Sequence, residues 1–168
     1  MTRNFFSVLI AAILMIAAAT PRAEDTQQIF GSWTLRCSAE AGAAKQDCMM
    51  FQNLVLKTGG QPVLQFGIGI APPDNLPTVL VSLPLGIALP PGITIQIDAA
   101  TPATFPVERC EPDGCRAGMK LRQVTVNQLG HGHQLHITFY DGSRKPIKVP
   151  LSLDGFGAAF AALTAAQR

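Results

Sequence analysis

The sequence predicts a mainly β protein, an antiparallel β-sandwich or barrel-like domain with a C-terminal helix packed on it. Three observations predict this class. Apolar residues recur at every second position through most of the chain, which is the strand signature. Thirteen prolines and fifteen glycines stand largely between these runs, where such residues mark turns. Only the last part of the chain changes to helical spacing.

The first segment is predicted to be a cleavable secretory signal rather than part of the fold. Met1–Asn4 carries one positive charge, and an apolar stretch broken by a single serine covers residues 5–19. This stretch is too short for a membrane helix, which needs about 20 residues, and small residues follow it as signal peptidase requires. Cleavage is expected after Ala19 or Ala23, so residues 1–23 are assigned to the signal; an uncleaved anchor is the alternative.

Removal of the signal leaves residues 24–168 as a single domain, long enough to bury one modest core. Arg3 and Arg22 leave with the signal, so Lys+Arg falls from 13 to 11 while Asp+Glu stays at 11. The formal net charge of the mature chain is therefore zero. Without a basic stripe, nucleic-acid binding is not expected. No later window is long and apolar enough for a transmembrane segment.

Strict alternation predicts five strands. Their apolar faces are, in chain order, Trp33/Leu35/Cys37, Leu64/Phe66/Ile68/Ile70, Ile93/Ile95/Ile97, Leu135/Ile137/Phe139 and Ile147/Val149/Leu151. Two further runs, 48–56 and 79–83, are nearly continuously apolar, which is typical of strands covered on both sides. Trp33, the only tryptophan, is predicted to anchor the core.

The end of the chain is predicted to form an alanine-rich helix that covers an open end or face of the sheet. Its apolar stripe consists of Leu153, Phe156, Phe160 and Leu163. These positions follow helical spacing, and Ser152 or Asp154 is a suitable N-cap. The stretch 121–129 fits a short helix or a strand equally well, with Gly130 as its stop.

Four cysteines, Cys37, Cys48, Cys110 and Cys115, predict two disulfides in an exported chain, although four cysteines allow three connectivities. Sequence separation favours Cys37–Cys48 and Cys110–Cys115, and the second bridge would close a Pro-Asp-Gly turn. A tetrathiolate zinc site is the alternative. Zinc sites usually have closer cysteine pairs and reducing surroundings, so the disulfides are preferred.

A histidine cluster is the candidate for metal chemistry. His131, His133 and His136 place three imidazoles within six residues, and such a set could hold zinc or copper. On an extended chain the first two side chains point one way and the third points the other. No acidic or sulfur ligand lies nearby in sequence, so a polar turn before a strand is preferred and no metal is assigned.

No catalytic residue is predicted. The serines lack a Gly-x-Ser-x-Gly elbow and the cysteines are expected to be bridged. Glu108, Glu111 and Asp113 flank a turn, where solvated acids are expected. The segment Gly67–Gly69 is not followed by a helical pattern, so it is no phosphate loop. We therefore expect a protein that is not an enzyme and needs no cofactor.

A set of short motifs occurs in order along the mature chain. The set comprises Gly31-Ser32-Trp33, the Cys37/Cys48 pair, residues 82–89, Gly92-Ile93, Ile97-Asp98, the Cys110 to Cys115 segment and residues 152–156. It resembles the invasion-associated locus B family of alphaproteobacterial periplasmic proteins over about residues 31–163. The resemblance implies an exported protein, linked in some members to host-cell invasion or surface association. It implies no catalytic residues, and the matching positions look structural.

These observations predict a binding protein in the periplasm, at the outer membrane or secreted. Its partner would be an envelope or host protein, which the sequence does not name, and the sequence does not determine the oligomeric state. Loops carry function on rigid scaffolds, so the Pro72–Pro77 loop and the Cys110–Cys115 loop are the candidate contact regions. The alternatives are a periplasmic protease inhibitor and a metal-binding protein that uses the three histidines.

Overall fold

The computed structural model describes residues 25–38, 47–55, 62–71 and 73–167. The predicted signal and its cleavage sites lie outside these residues. Among the described residues, neither helix has the length and apolar character needed to cross a bilayer.

The described chain forms eleven strands and two helices. In chain order the elements are β1 (Thr26–Phe30), β2 (Trp33–Ser38), β3 (Asp47–Val55), β4 (Pro62–Ala71), β5 (Leu76–Leu83), β6 (Ile93–Ile97), β7 (Ala103–Phe105), β8 (Arg109–Glu111), β9 (Gly114–Lys120), α1 (Gln123–His131), β10 (Gln134–Tyr140), β11 (Pro146–Ser152) and α2 (Phe156–Ala166). The large sheet has the order β1-β2-β3-β4-β5-β9-β8, and the small sheet has the order β11-β10-β6-β7. Every strand pairing is antiparallel.

The inward faces of the two sheets share one cluster of buried apolar side chains. Trp33 is fully buried in it, and its ring meets Phe66 of β4 and Phe156 of α2 edge-on, with centroids 6.1 and 5.2 Å away. The tryptophan therefore ties the large sheet to the C-terminal helix. The described strands form two open sheets rather than a closed barrel, so of the two predicted architectures the sandwich is the one observed.

The prediction that two strands are covered on both sides was wrong. In β5, Val79 and Val81 are buried, but Leu80 between them is 47% exposed. In β3, Met50 is buried whereas Met49 is only half-buried. The burial alternates because the inner side of the large sheet faces the shared apolar core, where α2 packs on β1, β2 and β3, whereas Leu80 on the outer side is exposed.

Helix α2 forms as predicted, but neither proposed N-cap was right. Gly155 is the N-cap residue, with φ 81° and no side-chain cap. Ser152 Oγ instead accepts a hydrogen bond from the Asp154 N–H at 3.1 Å. Its hydroxyl therefore shapes the turn between β11 and α2 rather than the first turn of the helix.

The ambiguous stretch 121–129 contains most of helix α1, so the helical alternative is the observed one. Gly130 lies inside the last turn rather than after it. The helix ends at His131, and Gly132 is its C-cap, whose N–H donates to the Gln128 carbonyl at 2.8 Å. The predicted stop was therefore two residues early.

The two cysteine pairs favoured by sequence separation are the pairs bonded in the structure. Cys37–Cys48 joins directly opposite residues of β2 and β3, and Cys110–Cys115 joins β8 and β9. All four cysteines are thus used. Strands β4 and β5 separate the two pairs within the sheet, so the thiols do not meet in a tetrathiolate zinc site.

Candidate functional site

The three histidines lie in different elements. His131 ends α1, with Nδ1 2.7 Å from the Asn127 carbonyl oxygen. The His133 side chain is 93% exposed in the following turn, and His136 lies on β10. The prediction that the three histidines lie on one extended chain was wrong, because helix α1 continues to His131. Within the described ranges, no three His, Cys, Asp or Glu side chains are grouped so that they could hold a metal ion.

Asp98, at the end of β6, organises the turn that contains His133. It adopts φ 45°, and its carboxylate accepts backbone N–H groups from His133 at 3.1 Å and Gln134 at 2.9 Å. These hydrogen bonds lower the pKa of the Asp98 carboxyl. The position matched the family motif in sequence, but only the structure shows that its carboxylate joins the α1–β10 turn to the small sheet.

The acidic residues near the second disulfide lie against neighbouring groups of the turn. Asp113 pairs with Arg116 at 2.5 Å and Glu111 with Arg109 at 3.2 Å. The carboxylate of Glu108 lies beside the backbone of Gly118. Exposed pairs of this kind are typical of solvated turns and contribute little to stability.

An apolar row crosses the outer face of the large sheet. Strand register places the residues of this central row side by side in the order Ile29, Thr34, Phe51, Gly67, Leu80 and Gly118. Ile29 is 72% exposed and Leu80 47% exposed, while Phe51 is half-buried. The central row therefore presents Ile29 and Leu80 to solvent, with Thr34, Phe51 and two glycines at its other positions.

Beside this row, Gly69 of β4 lines a depression in the outer face. Met49 lies across it, with Sδ 2.8 Å from the position that a Cβ on Gly67 would take. A cavity of about 520 Å³ opens here, lined by Met49, Phe51, Ile70 and Leu80 and by polar groups that include Arg36, Asp47 and Thr78. Because methionine is flexible and polarizable, this surface can adapt to the shape of a partner.

A second cavity of about 510 Å³ lies next to the first and shares Gln65 with it. Its walls include Leu85 and, from the predicted Cys110–Cys115 contact loop, Pro112 and Asp113. Gln65 Nε2 donates to Asn53 Oδ1 at 2.7 Å. The outer face is therefore a pair of shallow depressions divided by a hydrogen-bonded amide pair.

The two predicted contact loops do not meet. Thr78 pairs with Lys120 at one end of the β5–β9 ladder and Leu83 pairs with Cys115 at the other. These pairs are five residues apart along β5 (83 − 78), or about 17 Å at the usual rise per residue. The loops therefore border the outer face at opposite ends. Pro72 of the first loop lies outside the described residues.

Two ion pairs lie at the border of the outer face. Arg36 bonds Asp25, and Lys120 bonds Asp74 of the first loop. These hydrogen bonds lower the pKa values of both carboxyls. The face thus has an apolar centre with two ion pairs at its border.

The pattern within single segments does not reveal this face. The apolar residues of runs 48–56 and 79–83 were all assigned to the interior. The sequence did contain one indication of this face. Gly67, Gly69 and Gly118 leave little side chain on the same face of the sheet as Met49 and Leu80. Side-by-side placement depends on strand order and register, which a single strand does not reveal.

Three comparisons with known proteins agree. A family model described as Invasion associated locus B (IalB) protein matches residues 33–164. The chain is 27% identical over 157 residues to Invasion protein B homologs of Brucella abortus strain 2308 and of Brucella abortus biovar 1 strain 9-941, across 92% of this chain and 89% of each relative. The crystal structure of invasion associated protein B from Bartonella henselae matches with a TM-score of 0.72 at 21% identity, covering 83% of this chain and 96% of that one. This last match shows a shared fold.

Proposed function

Because the chain belongs to the Invasion associated locus B (IalB) family, we propose that it is an exported envelope protein that acts by binding a protein partner, not by catalysis. The observation that carries the proposal is the central row, whose Ile29 and Leu80 stand exposed on the outer face among the residues that the structure describes. Contiguous exposed apolar surface within a polar rim is a feature of interaction sites. The relatives named as invasion proteins add a host-cell partner to the proposal, beside an envelope partner.

Export is supported by two independent features. Residues 1–23 have the composition of a cleavable signal, and the two disulfides are of the kind that persists in oxidising compartments. We place the protein in the periplasm, at the outer membrane or outside the cell. N-terminal sequencing of the protein from a periplasmic fraction should find a chain that starts after Ala19 or Ala23. An intact N-terminus in the cytosol would contradict export.

A charge placed in the central row tests the binding role. Leu80→Lys should weaken binding of the oxidised protein to purified envelopes or to host cells by at least about tenfold, since a buried lysine without a partner is costly. Val124→Lys is the matched control, because Val124 is 53% exposed on α1, away from the outer face. The readout is the amount of protein that co-sediments with each surface.

Thermal unfolding of both variants should stay close to that of the original protein, because both side chains already stand in solvent. Equal binding by the two variants would contradict a role for the central row. If the original protein bound neither envelopes nor host cells, the binding function itself would be refuted.

A further inference from the structure

Three of the four sheet edges carry features that discourage pairing with another strand. β8 is three residues long and includes Arg109 and Glu111, and β7 is also three residues long. β11 carries Pro146, Lys148 and Pro150. Short edges, prolines and edge lysines are the usual protection against edge-to-edge association.

The fourth edge, β1, has none of these features. Its five residues, Thr26–Phe30, include no charge, no proline and no glycine. The first four are exposed, and Ile29 is 72% exposed. Within the described part of the chain, β1 pairs only with β2. An unprotected, neutral edge of this length is a template for a further strand.

The register shows which backbone groups of β1 are available. The turn Gly31-Ser32 joins β1 to β2, with Phe30 opposite Trp33. A two-residue turn closes on a hydrogen-bonded pair, and bonded and non-bonded pairs alternate along an antiparallel ladder. Thr26, Gln28 and Phe30 therefore bond to β2, and the N–H and C=O groups of Gln27 and Ile29 point to the open edge.

We propose that β1 is a dimerisation edge on which β1 of a second copy pairs antiparallel. With Gln28 opposite Gln28 of the second copy, Gln27 of each copy bonds Ile29 of the other. This register makes four backbone hydrogen bonds and joins the two large sheets into one.

A second copy fits this edge better than an unrelated strand for two reasons. The two available residues, Gln27 and Ile29, are placed symmetrically about Gln28, as a two-fold axis requires. Because β1 is uncharged, self-pairing sets no like charges opposite each other. The dimer also places Ile29 of both copies on the same outer face, each opposite Gln27 of the other copy.

The oligomeric state of the exported, oxidised protein tests the proposal. Sedimentation equilibrium from low micromolar to near-millimolar concentration should show a monomer–dimer equilibrium. Ile29→Lys should raise its dissociation constant by at least about tenfold, whereas Val124→Lys should leave it unchanged. The Leu80→Lys protein should dimerise like the original protein. This result would separate the dimer proposal from the binding role of the central row, which the same substitution is expected to weaken. A monomer at every concentration, or a dimer unaffected by Ile29→Lys, would overturn it.

The register has its own test. Gln28→Cys should form an interchain disulfide under mild oxidation, because the two positions face each other across the two-fold axis. Gln27→Cys should crosslink much less, since Ile29 of the second copy lies opposite. Equal crosslinking of the two variants, or none from Gln28→Cys, would overturn the proposed pairing. Circular dichroism melting of Ile29→Lys checks that the loss of dimer is not a loss of fold.

Discussion

The carbonyl oxygen of Phe30 lies 2.0 Å from the position that a Cβ on Gly155 would occupy. Gly155 has φ 81°, and the preceding residue, Asp154, accepts the Ser32 N–H at 3.1 Å through its carbonyl oxygen. The turn between β1 and β2 is therefore docked directly on Gly155, the N-cap residue of α2. This backbone contact brings Trp33 against Phe156 and holds the first and last elements of the described fold together.

Substitution of Gly155 should be strongly destabilising. Gly155→Ala is expected to lower the free energy of unfolding by roughly 2–4 kcal/mol, because a left-handed φ is unfavourable for alanine and the new methyl group meets backbone. Urea denaturation measures the loss. Gly157→Ala is the control, since Gly157 lies in α2 with no atom near its Cβ position, and it should stabilise by about 0.5–1 kcal/mol. A Gly155→Ala protein as stable as the original would refute the contact.

The two disulfides should contribute unequally to stability. Loop closure predicts about 3 kcal/mol for Cys37–Cys48 and about 2 kcal/mol for the shorter Cys110–Cys115 loop. Cys37 and Cys48 are also both buried, whereas Cys110 is exposed. Replacement of each pair by alanine, followed by denaturant unfolding, should therefore show the larger loss for Cys37–Cys48. The opposite order would contradict the loop-closure argument.

Asp98 should link stability to pH in the acid range. Its pKa is lowered from an ordinary value of 3.8 by the N–H groups of His133 and Gln134, so the unfolded chain takes up the proton more readily. The stabilising contribution is complete above about pH 4 and is lost as pH falls through the lower folded-state pKa. Asp98→Asn should thus be less stable than the original protein at pH 5, and this deficit should shrink towards pH 3 in urea titrations. A deficit independent of pH would show that the charge of Asp98 does not matter.

Much of the candidate site could not be predicted from the sequence. The Cys110–Cys115 loop was identified in advance and does contribute Pro112 and Asp113 to one depression. The central row was not identified, because Ile29, Phe51 and Leu80 come from three separate strands. The three histidines, which looked like a cluster along the chain, are divided between a helix end, a turn and a strand.

The sequence by itself determined the β class, most of the strands, the C-terminal helix and the preferred cysteine pairs. These are local properties, since side-chain direction reverses at every residue of a strand and nearby cysteines need only one turn to meet. Only the tertiary structure decided which side of β3 and β5 is exposed, that 123–131 is a helix, and that β1 is an edge strand of the described sheet. Those features depend on which strands become neighbours and which faces α2 covers, and such contacts join residues far apart in the chain.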